Sequence, residues 1–529
     1  MDISYEWVSS GFIAGNEYYE ELVEQCAVLY SLHYGKWSNH APRNAGENVK
    51  LSKKKLSEWL SDENVALYYA KDESKLIGYA IALQLHVPQY GNISWVTQLV
   101  VHKDYRHREI AKNLLHSIWG FTDRYAWGII SANPYAIRAL EKTTRRRSNP
   151  IRIKNNIQKI LSIGVEHLPY INENTEVFIT NEVSRINTEF FVDHSDVDSM
   201  LNQVISSDTP WTLGRLEEGW EWIAFTFKDQ IPFELTPQEI RNMLDASDRV
   251  VRNAYKRMDF STGKQTWAKY APEEVDFIIR EGKLTPGDTI IDFGCGQGRH
   301  SLELARRGMN VIGVDYIDKN IEVARKEKEI NHYTNVHFTA DDCRTFSTSV
   351  LADAAICLYD VIGTYAYNKD NEKILRNIAK HLKPGGVAFI SVMNYQVTLD
   401  KAIYTFTLKD NPSALLSLKP SRIMEESGNV FDPEYYLVDT DERIIYRREQ
   451  FTHGRSLPIE LIVRDRRFLV SEIKHMCDVA GFDVEYSRCV NAGGWDNDYE
   501  PNNNNAKEIF LKCIKRAEPL YEQLSIPLI

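Results

Sequence analysis

The run Thr289-Ile290-Ile291-Asp292-Phe293-Gly294-Cys295-Gly296-Gln297-Gly298 decides how the C-terminal half of the chain folds. Its first five residues form a short apolar stretch, the pattern of a strand buried on both faces. The glycines that follow let the chain turn tightly and bring backbone N–H groups against a ligand at the start of the next helix, expected over 299–307. A dinucleotide fold would place its third glycine one position later, where Arg299 stands, so the turn reads G-x-G-x-G and NAD is disfavoured. Working outward, a second strand over 310–314 ends in Asp315, an acidic group at a strand end that can accept two hydrogen bonds from a ribose. A third strand, 336–339, leads into Asp341-Asp342-Cys343. From about residue 284 the chain alternates short apolar runs with helical patterns, the signature of a parallel α/β sheet.

The 529 residues suggest about three to four domains at ~150 residues each. Lys+Arg 63 against Asp+Glu 74 gives a net charge of −11, and 43% hydrophobic with 26% charged residues excludes a disordered scaffold. An acidic chain is a poor default for non-specific nucleic-acid binding. The opening residues lack a basic region followed by an apolar one, so no signal peptide is expected, and no apolar run is long enough to span a membrane. Seven cysteines, an odd number without a CxxC pair, read as reduced thiols in a cytoplasmic protein rather than as disulfides or a metal site. Asn502 to Asn505 reads as a solvated loop. Three parts are expected: 1–235, a helical connector over 236–283, and 284–529. Thr236-Pro237-Gln238-Glu239 opens the connector with a capping Thr, Pro at the first helical position and Glu three residues after the cap.

At Asp292-Phe293-Gly294-Cys295-Gly296-Gln297-Gly298-Arg299-His300, Gly313-Val314-Asp315, Asp342-Cys343, Asp353-Ala354-Ala355-Ile356-Cys357-Leu358-Tyr359-Asp360 and Leu382-Lys383-Pro384-Gly385-Gly386 the chain resembles class I S-adenosylmethionine-dependent methyltransferases. Five motifs in order make the resemblance specific where one glycine motif would not. It implies a Rossmann-like, doubly wound sheet. It also implies that Gly294, Gly296 and Gly298 surround the methionine moiety, that Asp315 binds the ribose, and that Asp342 and the Cys343 backbone meet the adenine. Asp292 would fix the turn or meet the ligand's amino group, and Leu358 would line the same site. The plainer reading makes each glycine a turn residue and each aspartate a cap.

The segment after the fourth strand carries neither the Asn/Asp-Pro-Pro-Tyr of base-amino methyltransferases of DNA nor a Pro-Cys nucleophile. It looks more like enzymes that methylate N or O of small molecules. Residues 393–467 stand where such enzymes carry an insertion over the acceptor, with strand patterns at Tyr435-Tyr436-Leu437-Val438 and Arg443-Ile444-Ile445-Tyr446. A helix restarts near Phe468, and late strands are expected at 480–484 and 509–514. Methyl transfer needs in-line approach, and orientation alone can be worth effective molarities of ~10⁵–10⁸ M. A base is needed only for a protonated acceptor. His300, Tyr359, Asp360 and Tyr365 are the catalytic candidates. Their duller roles are helix surface for His300, a cap for Asp360 and wall packing for the tyrosines.

In the N-terminal part, Leu76-Ile77-Gly78-Tyr79-Ala80-Ile81-Ala82 and Trp95-Val96-Thr97-Gln98-Leu99-Val100-Val101 are strand patterns. A basic turn and a helix with Ile110, Leu114 and Ile118 on one stripe come next. This unit resembles the acetyl-CoA-binding core of the GNAT superfamily of N-acetyltransferases, a mixed sheet with helices. Its pyrophosphate loop reads Arg/Gln-x-x-Gly-x-Gly/Ala, and Arg106 and Ala111 match it. The resemblance implies acetyl-CoA as a second cofactor, held by Leu99, Val101, Arg106, Arg108, Ala111, Lys112 and Asn133.

Glu109 replaces the central glycine, and a carboxylate about 6 Å from a phosphate costs on the order of 3 kcal/mol at an effective dielectric of about 20. Leu140 stands where many members carry a general-acid Tyr. The basic run Arg145-Arg146-Arg147 reads as a solvated helix end, with contact to CoA phosphates as the alternative. Later strands are expected at 176–180, 186–192 and 222–227. Trp211, Trp220 and Trp222 read as core rather than as pocket lining.

The leading expectation is a methyltransferase acting on a small-molecule acceptor, fused to an acetyltransferase-like domain. Alternatives are a bifunctional tailoring enzyme, a methyltransferase with a CoA-sensing domain, and a modifier of nucleic acid or of a protein terminus. The sequence does not give the oligomeric state.

Overall fold

The computed structural model describes residues 3–42, 44–205, 209–258, 268–452 and 457–517. The chain divides into two compact units, Met1–Asn253 with Gln450–Leu461, and Ala254–Glu449 with Ile462–Ile529. The division falls inside the expected connector. Its first helix, Pro237–Arg257, opens on the expected capping box: Thr236 N–H donates to Glu239 Oε2 at 3.0 Å and Glu239 N–H to Thr236 Oγ1 at 3.2 Å. Its second helix, Ala271–Gly282, lies in the second unit. The tip of the expected insertion, Gln450–Leu461, counts with the first.

The first unit is built on an eight-stranded mixed sheet. Its strands are β1 (Ile3–Ser9), β2 (Val65–Asp72), β3 (Lys75–Val87), β4 (Gly91–Val101), β5 (Ala126–Ser131), β6 (Val177–Ile179), β7 (Ser184–Phe190) and β8 (Gly219–Phe227), in the order β1-β2-β3-β4-β5-β8-β7-β6. Where β3 meets β4, Ile81 faces Gln98 and Ala82 faces Val96, so Thr97 is an extra residue that bulges β4. Beside the bulge, β4 pairs with β5 in parallel only from Ile93 to Val96, and the two strands then part. Trp222 is fully buried and packs edge-on to Trp211 at 4.7 Å, as core residues should.

The second unit holds a seven-stranded sheet, with β9 (Thr289–Phe293), β10 (Asn310–Asp315), β11 (Val336–Ala340), β12 (Ala352–Cys357), β13 (Leu382–Met393), β19 (Phe482–Val490) and β20 (Glu508–Lys515) in the order β11-β10-β9-β12-β13-β20-β19. β9 is parallel to both neighbours, which is why its side chains are apolar on both faces. β20 runs antiparallel to β13. The strand order reverses between β9 and β12, and in open α/β sheets a ligand crevice forms outside the strand ends at such a switch point.

Between β13 and β19 the insertion forms a smaller sheet from β14 (Thr405–Phe406), β15 (Pro420–Ser421), β16 (Tyr436–Asp439), β17 (Ile444–Phe451) and β18 (Ile459–Arg466), ordered β14-β16-β17-β15 with β18 beside β17. The late strands expected from sequence appear as β19 and β20. All seven cysteines are free thiols. No described helix is long and apolar enough to cross a membrane.

Candidate active site

A cavity of about 730 Å³ opens at the switch point of the second unit. Asp292, Gly294, Gly296, Asp315, Asp342, Cys343 and Leu358 line it from the ends of β9, β10, β11 and β12 and the turns after them, and so do His300, Tyr359, Asp360 and Tyr365. The exception among the expected residues is Gly298. It takes a left-handed φ of 82° to start the helix Arg299–Arg306, and a Cβ there would strike the Phe338 ring at 2.8 Å. The missing side chain lets that helix pack on the sheet. Gly296 differs: its φ is 55°, and nothing lies within 4 Å of where its Cβ would stand. The backbone there faces open cavity.

Asp315 is nearly buried and is fixed by two backbone donors, Gly296 N–H to Oδ2 and Ile317 N–H to Oδ1, both at 2.9 Å. Burial pushes its carboxyl up to about 6, against those two hydrogen bonds. Asp292 accepts from the Ser301 hydroxyl at 2.6 Å, and burial pushes it up to about 7. Asp342 is oriented by Arg344, whose Nη2 lies 2.8 Å from Oδ2. Arg344 also binds Asp370 at 3.0 Å and stacks over the Tyr365 ring at 4.5 Å. Tyr365 is therefore a wall whose face is taken by a guanidinium.

His300 is buried rather than on a helix surface, and its Nε2 lies 2.7 Å from Glu274 Oε2. Burial, reinforced by Arg299 nearby, holds the imidazole below its usual range despite the Glu274 partner. The other Glu274 oxygen accepts from the Tyr359 hydroxyl at 2.6 Å and from Gly493 N–H at 2.9 Å. Tyr359 has φ 67°, a left-handed conformation rare for a bulky side chain, and its N–H donates to Ser391 Oγ at 2.5 Å. His300 and Tyr359 thus converge on one carboxylate. Asp360 is open to the cavity. Desolvation by the surrounding cavity walls and the nearby Asp465 raise its carboxyl.

Residues that the sequence did not single out complete the site. Glu274 stands in what reads as a connector helix, where nothing in the local pattern marks it. Glu508 begins β20, and Arg447 and Asp465 come from the insertion, joined to each other by an ion pair. Arg447 also binds Glu449 at 3.0 Å.

In the first unit, Arg106 folds back onto the His33 and Val101 carbonyls, and Arg108 lies over the Tyr105 ring at 5.4 Å. Leu99 and Val101 are half-buried on the part of β4 beyond the bulge. Glu109 has φ 64°, the left-handed geometry that a glycine at this position would supply, and its carboxylate pairs with Lys112. Ala111 is half-buried in the first turn of the helix Ile110–Trp119, and Asn133 caps the next helix through Tyr135 N–H at 2.9 Å. Leu140 is fully buried.

The basic run is not a solvated helix end. Arg146 is buried against the Thr144, Gln230 and Lys228 carbonyls, and Arg147 pairs with the buried Glu141 at 2.9 Å, because these carbonyls and this carboxylate need donors. A second buried carboxyl, Glu221 on β8, accepts from Thr188 Oγ1 at 2.9 Å and is raised by burial.

Residues 284–429 match the model of a methyltransferase domain, and residues 28–143 match the acetyltransferase (GNAT) family. The chain therefore carries a methyltransferase domain and a GNAT-family acetyltransferase domain. It is 28% identical over 162 residues to a ubiquinone biosynthesis O-methyltransferase of Rickettsia typhi (strain ATCC VR-144 / Wilmington), covering 28% of this chain and 64% of that protein. It is 30% identical over 143 residues to the protein of that name from Rickettsia akari (strain Hartford), covering 26% and 55%. The chain thus spans roughly 55–64% of the length of these relatives. Among solved structures, an S-adenosylmethionine-dependent methyltransferase from Clostridium acetobutylicum ATCC 824 superposes with a TM-score of 0.35 at 13% identity, over 52% of this chain and 99% of that one.

Proposed function

We propose that this chain is an S-adenosylmethionine-dependent methyltransferase that acts on N or O of a small-molecule acceptor and is cytoplasmic. The observation that carries the reading is the cavity at the sheet's switch point, with two buried aspartates, an open glycine turn and a third aspartate on successive strand ends. These residues fit the cofactor. The Gly296 backbone has room beside it, Asp315 keeps lone pairs for ribose hydroxyls, Asp342 is turned by Arg344, and Leu358 and Cys343 offer apolar walls. When bound, S-adenosylmethionine supplies a methyl group on a positively charged sulfur. The protein's part is to hold donor and acceptor in line, exclude water and take a proton from the acceptor where it carries one. Calorimetric titration of the full chain with S-adenosylmethionine tests the reading, and the absence of binding heat and of a thermal shift overturns it.

The chain is proposed to work as 1–235 and 284–529 joined by 236–283, with 393–467 over the acceptor. For the N-terminal domain two readings stand, transfer from acetyl-CoA and binding of CoA without transfer. The burial of Leu140 in the core favours the second, since no hydroxyl acid stands at that position. Acetyl-CoA turnover against a panel of amines separates them.

A further inference from the structure

We propose that the acceptor end of the methyltransferase cavity is built for an amine, received by the carboxyl groups of Glu508 and Asp360. This rests on the methyltransferase reading and goes further by choosing the acceptor's chemical class. Glu508 is 3% exposed, lines the cavity, and its Oε2 has no hydrogen-bond partner among the described residues. A buried carboxyl oxygen left unpaired is costly, so its presence in a cavity wall marks a place where a donor is to come from outside the chain. The rest of the group is held: Ser391 hydrogen-bonds the Glu508 side chain while its own Oγ takes the Tyr359 N–H. Tyr359 keeps its left-handed turn just before Asp360, which is open to the same cavity.

The other charges lining this end are largely satisfied within the protein. Arg447 is shared between Glu449 and Asp465, Arg299 lies 3.7 Å from Glu274 and over the Tyr359 ring, and the Lys507 ammonium sits over the Phe431 ring at 5.8 Å. Lys269 is exposed. Of the carboxyls lining the cavity, with Asp292, Asp315 and Asp342 given to the cofactor and Asp465 paired with Arg447, Glu508 and Asp360 remain.

The nucleophilic form of an amine is neutral, whereas that of a phenol is an anion, which two carboxyls would repel. An arriving ammonium gives its proton to a carboxylate. The freed lone pair then forms the N–C bond as the C–S bond of the methyl donor breaks, and that electron pair stays on sulfur. The product is a protonated methylamine. Burial, with Glu274 and Asp360 acting in the same sense against Ser391 and Arg299, holds Glu508 up at about 8, so its ionised form is a stronger base than an ordinary carboxylate, and the fraction able to take such a proton grows as pH rises through about 8.

The test uses the full chain with S-adenosylhomocysteine for calorimetry and with S-adenosylmethionine for turnover. The probes are arylalkylamines and the alcohols and phenols of the same skeletons. The expected result is that amines bind and are methylated while their hydroxyl counterparts are not. Glu508→Gln is expected to weaken amine binding at least about tenfold with S-adenosylmethionine affinity held within about twofold, and Asp360→Asn to act in the same direction. Binding of S-adenosylmethionine with hydroxyl compounds preferred, with no amine bound, or with amine binding indifferent to both variants, overturns the inference and spares the methyltransferase reading. Failure of the parent chain to bind S-adenosylmethionine overturns both.

Discussion

Asp292 and Asp315 are held as acids with raised pKa values, at about 7 and about 6, by the same burial that shapes the cavity. In the empty protein this favours their protonated forms, so their contribution to stability is fully present below the ordinary 3.8 and is lost as pH rises through about 7. Binding acts the other way, because ribose hydroxyls and the ammonium of S-adenosylmethionine prefer ionised carboxylates. Affinity is therefore expected to be higher at about pH 8 than at about pH 5.5, with the decline running through the two pKa values, and Asp292→Asn should flatten the profile. Calorimetry at a series of pH values checks this. Asp315→Ala removes the group expected to meet the ribose, and a loss of at least about tenfold, near 1.4 kcal/mol, should appear in the same titration. The motif residues were legible because strand-end acids and turn glycines stand at fixed places in the chain. Glu274 and Glu508 were not, since a helix residue carries no local mark of buttressing a cavity wall and a first strand residue none of facing one.

The pyrophosphate-type loop of the first unit shows how an element can keep a backbone shape after losing the residue that favours it. Glu109 adopts the left-handed conformation at a cost of roughly 1 kcal/mol for a residue with a Cβ, partly returned by the stiffer unfolded chain relative to glycine. Glu109→Gly is expected to leave global stability equal or raised by up to about 1 kcal/mol in urea denaturation, and to tighten acetyl-CoA binding by removing a carboxylate from the loop. At the start of the helix Pro237–Arg257, Thr236→Ala removes the hydroxyl that accepts from Glu239 N–H while the backbone N–H at 236 keeps its bond to the Glu239 carboxylate, and a loss of about 1 kcal/mol is expected in the same assay. Strands such as β9, β10 and β20 were legible as apolar runs between turn residues. The bulge at Thr97 was not, because an extra residue changes pairing without changing the pattern of one strand read alone. Nor was the burial of Arg146, which depends on carbonyls from residues 228 and 230.

Taken as a whole, the chain carries two cofactor-type folds and a net charge of −11. Mass spectrometry of the denatured, freshly purified protein is expected to release S-adenosylmethionine or its demethylated product, and Asp315→Ala should lose that ligand while any CoA signal is kept. The reverse pattern would count against the assignment of the cavity. A salt-dependent shift of duplex DNA is not expected from so acidic a chain.

By itself the sequence determined the two fold types, the order of the glycine and acidic motifs, and most strand and helix positions, because these rest on periodicity and on turn residues that act locally. Only the tertiary structure decided which polar groups share a cavity. It brought Glu274 from the helix Ala271–Gly282 to His300 and Tyr359, brought Arg447 and Asp465 from the insertion, and left one oxygen of Glu508, a residue of the cavity wall, without a partner among the described residues. Whether a buried carboxyl is satisfied depends on neighbours tens to hundreds of residues away, and no window on a single stretch of chain contains them.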